Sequence, residues 1–340
     1  MSAKQLLLGL ISLAALSVAA PGLTHAAEPV TLSTGWVLAG DSAPLVLADA
    51  RGYFTEGGVK IDIVRGFGSA DVVTKIAAGT YQAGTGYLPA LVQAIAKDPS
   101  FDAIAVLISF DASADAVTGP KATGIAKPTD LAGRKISTQP NSTSKLIFQS
   151  FAKAVGISPT SVNWVEVAPD LLGVTVKQGQ SEGAAQFAAT ANATFAKLGY
   201  APGDLYQFKF SDYVDNLYGN ALILKKSWAA AHPEAAKGVV GAYAKGLIDA
   251  KKDPKAAIDA LMAREPLLTR TAEEISLDYS NENYYFTKRV IEKGVAYQNE
   301  ADVTKFISLL VEPFSLQRVP EAKEVYTDAY LPKADERKLK

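Results

Sequence analysis

The sequence has 340 residues, no cysteine and only two histidines. Without cysteine there is no disulfide, no thiolate chemistry and no lipid-bearing cysteine behind an export signal. His25 falls in an N-terminal stretch that reads as a cleavable signal. A Ser-His-Asp triad, a His-rich zinc site or a Cys-His pair would therefore rest on His232 alone or fail outright. His232 directly precedes Pro233, which fits the first position of a helix, so a solvated helix-entry residue is its plainer role. No metal, cofactor or catalytic residue is expected.

Charge excess is also missing: 34 Lys and Arg stand against 35 Asp and Glu. Without residues 1–26, which hold Lys4 and no acid, the count is 33 against 35, a net charge of −2. That balance gives no electrostatic case for nucleic acid or for anionic membranes. The longest apolar run, Leu6 to Ala20, is broken by Gly9, Ser12 and Ser17 and falls short of the roughly 20 residues of a spanning helix. With Lys4 before it and Thr24-His25-Ala26 after it, the run predicts an export signal cut near Ala26. Phosphate loops are absent too. "QPNSTSK" lacks the flanking glycines of a P-loop, and "GFGSAD" lacks the third glycine of a dinucleotide fingerprint.

What remains is a globular composition, 48% hydrophobic and 20% charged, with room for two domains. Strand-like "VTLSTGWVL" (30–38) leads into an apolar helical stretch ending near Gly57, and "VKIDIVRGF" (59–67) alternates as a strand does. A helix over "GSADVVTKIAAGTY", a short strand and helix in "QAGTGYLPALVQAIAKD", and a strand in "FDAIAVLISF" follow. This βα alternation predicts a mostly parallel sheet flanked by helices. It begins afresh with strand 135–138, helix 143–155, strand 162–168, a helical "DLLGVTVKQGQ" and strand 183–188. After a strand in 216–226 come helices over 234–250, 254–263, 271–293 and 300–311.

Two such α/β units predict a two-lobed molecule, with 27–113 and 217–340 in the first lobe and 114–216 in the second. Two hinge strands are expected near 111–116 and 212–220. In open α/β sheets a ligand sits beyond the carboxyl ends of the strands, where helix N-termini offer unpaired N–H groups. Ser142, Thr143 and Ser144 stand at such a helix start, and Gly68 and Ser69 at another; capping alone and capping with ligand binding are equally open. Lys145 reads as a side chain turned outward. Trp36, Phe67 and Tyr87 close three strands of the first lobe and form a candidate aromatic wall. Asp41 and Ser42 either meet a ligand or cap the next helix. Phe187, Thr190 and Asn192 follow the last strand of the second lobe, while Asn216 and Tyr218 mark the return crossing as contacts or as hinge structure. Arg65 reads as a surface residue. A donor-rich, arginine-poor rim predicts a neutral or singly anionic planar solute.

Several pieces in order, "LADARGYFTEGGVKIDIVRGFGSADVVTKIAAGTYQAGTGYLPALVQA", "KPTDLAGRKIST", "FAKAVGIS" and "NLYGNALILKKSWAAAHPE", cover most of residues 30–235. They resemble the periplasmic substrate-binding proteins of ATP-driven importers, in the group handling thiamine pyrimidine precursors, taurine, alkanesulfonates and nitrate. The resemblance implies a type II periplasmic-binding fold closing on a small solute, no enzymatic activity, and delivery to an ABC permease with its ATPase at the inner membrane. It also implies a soluble periplasmic monomer that is not a lipoprotein. Pyrimidine binders of the group place Asn and His where this chain has "VLAGDSAP", and Asn and Glu where it has "FAATANAT", with Asn192 and no acid. The substrates implied are an aromatic carboxylate or pyrimidine precursor, then taurine or another alkanesulfonate. Two alternatives share the fold: a pyrimidine-synthesis enzyme, which uses a histidine and a cysteine-rich segment, and a solute-sensing domain docking on a membrane receptor.

Overall fold

The computed structural model describes residues 26–339 except Asn141. The export signal expected over residues 1–26 lies outside the described residues, save Ala26. Among those described, no helix is long and apolar enough to cross a membrane.

Ten strands form two five-stranded sheets. The first holds β1 (Glu28–Ser33), β2 (Val59–Val64), β3 (Ala83–Tyr87), β4 (Ala103–Ile108) and β10 (Asn220–Lys225), in the order β2-β1-β3-β10-β4. The second holds β5 (Asp115–Pro120), β6 (Lys135–Thr138), β7 (Asn163–Glu166), β8 (Gly183–Phe187) and β9 (Leu205–Lys209), in the order β7-β6-β8-β5-β9. In each sheet the first three strands pair in parallel, and the fourth is antiparallel to both its neighbours. The sheets are therefore mixed: four strands run one way and one is reversed. The reversed strands, β5 and β10, are the first that the chain forms after passing from one sheet to the other.

Burial explains which segments became strands. β4, "AIAVLI", is buried at every residue, while edge strand β2, "VKIDIV", exposes Lys60 and Asp62 and buries Val59 and Ile63. β9 is not among the strands expected from the sequence, and β5 overlaps the hinge strand expected near 111–116 only at Asp115 and Ala116. "DAVTGP" carries turn residues, yet all six positions are buried, because strands pair with it on both sides. Expected strand ends also shorten. β1 stops at Ser33 because the chain turns there, the Thr34 hydroxyl donating to the Trp36 carbonyl at 2.6 Å.

The helices around the first sheet are α1 (Ala43–Ala50), α2 (Tyr53–Glu56), α3 (Ser69–Ala78) and α4 (Leu88–Lys97). The second sheet carries α5 (Thr143–Ala154), α6 (Leu172–Lys177) and α7 (Ala188–Lys197). The chain then forms α8 (Lys226–Ala231), α9 (Pro233–Lys252), α10 (Pro254–Arg264) and α11 (Arg270–Ser280), followed by a π-helical turn, Asn281–Tyr285. Helices α12 (Lys288–Lys293), α13 (Glu300–Leu310) and α14 (Ala322–Val325) complete the order. One helix was expected where α1 and α2 stand; Gly52, at φ 74°, breaks it, a conformation that costs glycine nothing. The helix expected over 271–293 also divides, because the π-turn lets Tyr284 and Tyr285 both reach Phe110, at ring separations of 4.8 and 5.0 Å.

The two crossings run side by side. Phe110 donates to the Asn220 carbonyl at 2.9 Å and Gly219 donates to the Phe110 carbonyl at 3.0 Å. A Cβ on Gly219 would lie 2.8 Å from the Phe110 Cβ, so only glycine permits this approach. The largest apolar cluster runs through both sheets, joining Val72, Leu91 and Ile223 to Val117, Phe148 and Phe151.

Candidate functional site

The carboxyl ends of β1, β2 and β3 are tied into one rim. Gly35 donates to the Thr85 hydroxyl at 3.2 Å, Gly68 donates to the Gly35 carbonyl at 3.0 Å, and Tyr87 N–H donates to Ser69 Oγ at 2.9 Å. This brings the Trp36 loop, Gly68, Ser69 and Tyr87 together. Trp36 and Phe67 stand exposed on it, at 56% and 66%, although apolar surface of that size is normally covered. Phe67 lies under the Arg65 guanidinium, 5.3 Å away, so Arg65 stays at the exposed edge.

The rim of the second sheet meets it at Tyr87. That ring packs against Phe187, at the end of β8, with centroids 5.2 Å apart. The Tyr87 hydroxyl donates to the Asp115 carboxylate and lies 3.0 Å from Ser113 Oγ. Ser144, in the first turn of α5, donates to the other Asp115 oxygen, and Ser113 donates to Asp115 at 2.7 Å. Asp115 is fully buried, and burial lifts its pKa above the ordinary carboxyl value against the opposing pull of these hydroxyls. Burial, then the Asp115 charge, pushes the Tyr87 hydroxyl well up, so it stays a donor. Sequence reasoning missed Asp115 and Ser113, because "DASAD" carries no motif and acquires its role only through the reversed strand.

Ser142 caps α5, its hydroxyl accepting from Lys145 N–H at 3.3 Å, and Thr143 is half-buried beside it. Lys145 turns away to pair with Glu166 at 2.7 Å. Thr190 is exposed on the first turn of α7, and Asn192 accepts from the Gln207 amide at 2.9 Å. Two of the nominated residues lie apart from this rim. Asn216, at φ 57°, accepts from Arg289 at 3.2 Å, and Tyr218 is wholly buried beneath the Arg289 guanidinium, 4.9 Å from its ring.

Asp41 and Ser42 face the C-terminal segment. The Ser42 hydroxyl caps its own turn, donating to the Ala39 carbonyl and accepting from Ala39 N–H, both at 2.8 Å. Asp41 is partly buried with its carboxyl pushed up to about 6, by burial first and then by the nearby Glu273 charge. Glu273, on α11, accepts from Gly40 N–H at 2.7 Å, and the Tyr285 hydroxyl donates to the Asp41 carbonyl.

The α11 and π-turn segment reaches the second sheet as well. Tyr279 donates to Gln207 at 2.5 Å, Lys209 donates to Asn283 at 2.9 Å, and Ala189 N–H, at the start of α7, donates to the Tyr284 hydroxyl at 3.1 Å. The sequence pattern over 271–293 places this strap only within a helix. The tyrosine and asparagine density of "DYSNENYYF" was the available signal, since so many hydrogen-bonding rings rarely coat a plain surface helix.

A model of the NMT1/THI5-like family matches residues 39–257. The taurine-binding periplasmic protein of Escherichia coli (strain K12) is 28% identical over 230 residues, 66% of this chain and 67% of that protein. Among solved structures, the periplasmic aliphatic sulphonate binding protein SsuA of Escherichia coli superposes with a TM-score of 0.70 at 14% identity, covering 87% of this chain and 91% of its own. The alkanesulfonate-binding protein SsuA of Xanthomonas axonopodis pv. citri, bound to MOPS, gives 0.66 at 18% identity, covering 89% and 100%. At these identities the structural likeness concerns the fold.

Proposed function

The chain belongs to the NMT1/THI5-like family, and from that premise and the meeting of the two sheet rims we propose that it is the solute-binding component of an ABC uptake system. One observation carries the reading: strand ends and helix starts from both sheets converge where Tyr87 meets Phe187 and Asp115. Nothing in the interior of either sheet needs such a junction; a protein that closes over a small solute does. The reading makes the chain a binding protein and not an enzyme, working as a monomer in the periplasm.

In this reading the lobes are residues 27–113 with 217–340, and 114–216, and the crossings near 111–116 and 212–220 form the hinge. Trp36 and Phe67 lie across the solute's flat face, while Gly68, Ser69 and the α5 start, Ser142, Thr143 and Ser144, offer backbone N–H groups to its polar edge, with the Ser144 hydroxyl held by Asp115. Phe187, Thr190 and Asn192 close from the other side. Asn216 and Tyr218 act at the hinge. Solute touching both lobes favours the closed form by the difference in its affinity for the two states, and closure presents a surface to the permease. The relatives favour a small organic solute of the sulfonate or taurine kind, and the aromatic rim extends the range to planar rings.

A thermal-shift screen with pyrimidines, aromatic carboxylates, sulfonates, taurine and nitrate tests this. A bound solute at 100 times its Kd should add about 2.7 kcal/mol and raise the midpoint by a few degrees. Silence from every class sinks the uptake reading.

A further inference from the structure

The strap of α11 and the π-turn touches both α/β units, and it does so in two different manners. On the first unit it is rooted in apolar packing. Leu277 is wholly buried in a cluster with Leu38, Ala43 and Val46, and Tyr285 is buried in another with Phe110 and Val239. Close-packed contacts of this kind resist sliding.

On the second unit the strap is held by polar side chains. Tyr279 donates to Gln207 Oε1 at 2.5 Å, and Lys209 donates to Asn283 Oδ1 at 2.9 Å. All four of these residues are partly exposed. A hydrogen bond in such a position exchanges for one with water at little net cost, so it can form and break as a unit moves. A third bond, from Ala189 N–H to the Tyr284 hydroxyl at 3.1 Å, is buried and lies close to the crossings, where Tyr284 stacks on Phe110. The join made by α13 has the opposite character. Val303, Phe306 and Leu310 share one buried apolar cluster with Phe148 and Phe151 of α5, and Ser150 donates to the Leu309 carbonyl at 2.9 Å. Buried packing on the α13 side and exposed polar bonds at Tyr279 and Asn283 are the marks of a pivot and a clasp.

The strap also connects the two loops that flank the crevice. Gln207 donates through Nε2 to Asn192 Oδ1 on α7 at 2.9 Å and to Thr118 Oγ1 at 3.0 Å, which fixes its amide and turns Oε1 to the Tyr279 hydroxyl. At the other end Glu273 accepts from Gly40 N–H, and Tyr285 donates to the Asp41 carbonyl, in the loop that follows Trp36.

Resting on the two-lobed solute-binding reading above, we propose that this strap is a clasp: rooted in the first lobe, it takes hold of the second through Tyr279 and Asn283 when the lobes close and releases it when they part. The clasp favours closure without touching solute. A solute then has less of the closing free energy to supply.

The chain has no cysteine of its own, so a pair of spin labels can be placed without background. Asp62→Cys on β2 and Asp170→Cys just past β7 are exposed, and β2 and β7 lie three places along their sheets from the reversed strands β10 and β5, where opening moves the rims furthest. Distances between the labels are read by electron–electron resonance on the full exported chain at pH 7.5 without solute. The parent should show the short separation of this structure as a measurable population. With Tyr279→Phe and Lys209→Met together, the ratio of longer to short separations should rise about tenfold, and with Tyr279→Phe alone about threefold, as loss of two hydrogen bonds and of one predicts. Lys153→Met, which removes the ion pair to Glu312 on the α13 side, should leave the ratio as it is. Unfolding midpoints establish that each variant folds. A parent without the short separation, a ratio unmoved by either clasp variant, or an equal rise in Lys153→Met overturns the inference. None of these results alters the outcome of the solute screen, which decides the uptake reading separately.

Discussion

Asp41 carries a protonation equilibrium that the unfolded chain does not share. Its carboxyl sits at about 6 in the fold, raised from 3.8 by burial and by Glu273. The folded state therefore binds this proton more tightly than the unfolded state, and the protein gains stability from this group as pH falls from above 6 towards 4. Above pH 6 the cost of the charge is fully present. Asp41→Asn removes that cost while keeping an oxygen for the nearby backbone N–H groups. Urea unfolding should find it more stable than the parent at pH 7.5, by about 3 kcal/mol at most, with the advantage gone near pH 4. An advantage that does not change with pH would refute the assignment. Asp115 behaves differently because its oxygens are occupied. Asp115→Ala leaves the Tyr87 and Ser144 hydroxyls without their acceptor inside the protein, and should cost about 2–4 kcal/mol in the same assay. Trp36 is the counter-case. It is exposed, so Trp36→Ala should leave the unfolding midpoint nearly unchanged and cost about 1–2 kcal/mol of solute affinity.

The informative element is the strap of α11 and the π-turn. Its seat against the turn at Gly40 is so close that a Cβ on Gly40 would fall 2.1 Å from the Glu273 carbonyl oxygen. Gly40→Ala must push α11 away, and should destabilise by about 1–3 kcal/mol as overpacked contacts do, while loosening the hydrogen bond from Gly40 to Glu273. Hydrogen exchange in residues 270–285 should rise; protection at the parental level would show that α11 is held by other contacts. This element also shows where reading the chain locally reaches its limit. Residues 271–293 carry a continuous helical pattern, and the pattern is correct up to Ser280. It gives way where Tyr284 and Tyr285 must both meet Phe110, a residue 174 positions away from Tyr284 in the numbering of the chain. Elements whose shape follows from their own residues, such as β6 at 135–138 and α5 at 143–154, were legible in the sequence almost to the residue.

Across the whole molecule, Arg289 draws the two crossings into one structure. It contacts the buried Asp111 on the first crossing, with Nε 3.0 Å from Oδ1, and Asn216 on the second. Thr287 and Gln298 also donate to Asp111. Arg289→Met removes the cation from a carboxylate that is 6% exposed, and should cost about 3–5 kcal/mol, because a buried charge is left without its partner. Denaturant unfolding checks the size, and raising the salt concentration should recover little of it, since screening acts weakly on a buried pair. A loss below about 1 kcal/mol would place this cluster among ordinary surface ion pairs.

The sequence by itself determined the alternation of strands and helices, the restart of that alternation near residue 135, the family, and the helix starts at Ser69 and Ser142, because these depend on periodicity and on residues adjacent in the chain. Only the tertiary structure decided that β5 and β10 run against their neighbours and that Asp115 stands under Tyr87 and Ser144. It alone brought the strap against Asp41. Each of these depends on pairing between distant segments, which a local pattern does not encode. A carboxylate's neighbours, and hence its charge and its use, exist only once the chain has brought them together.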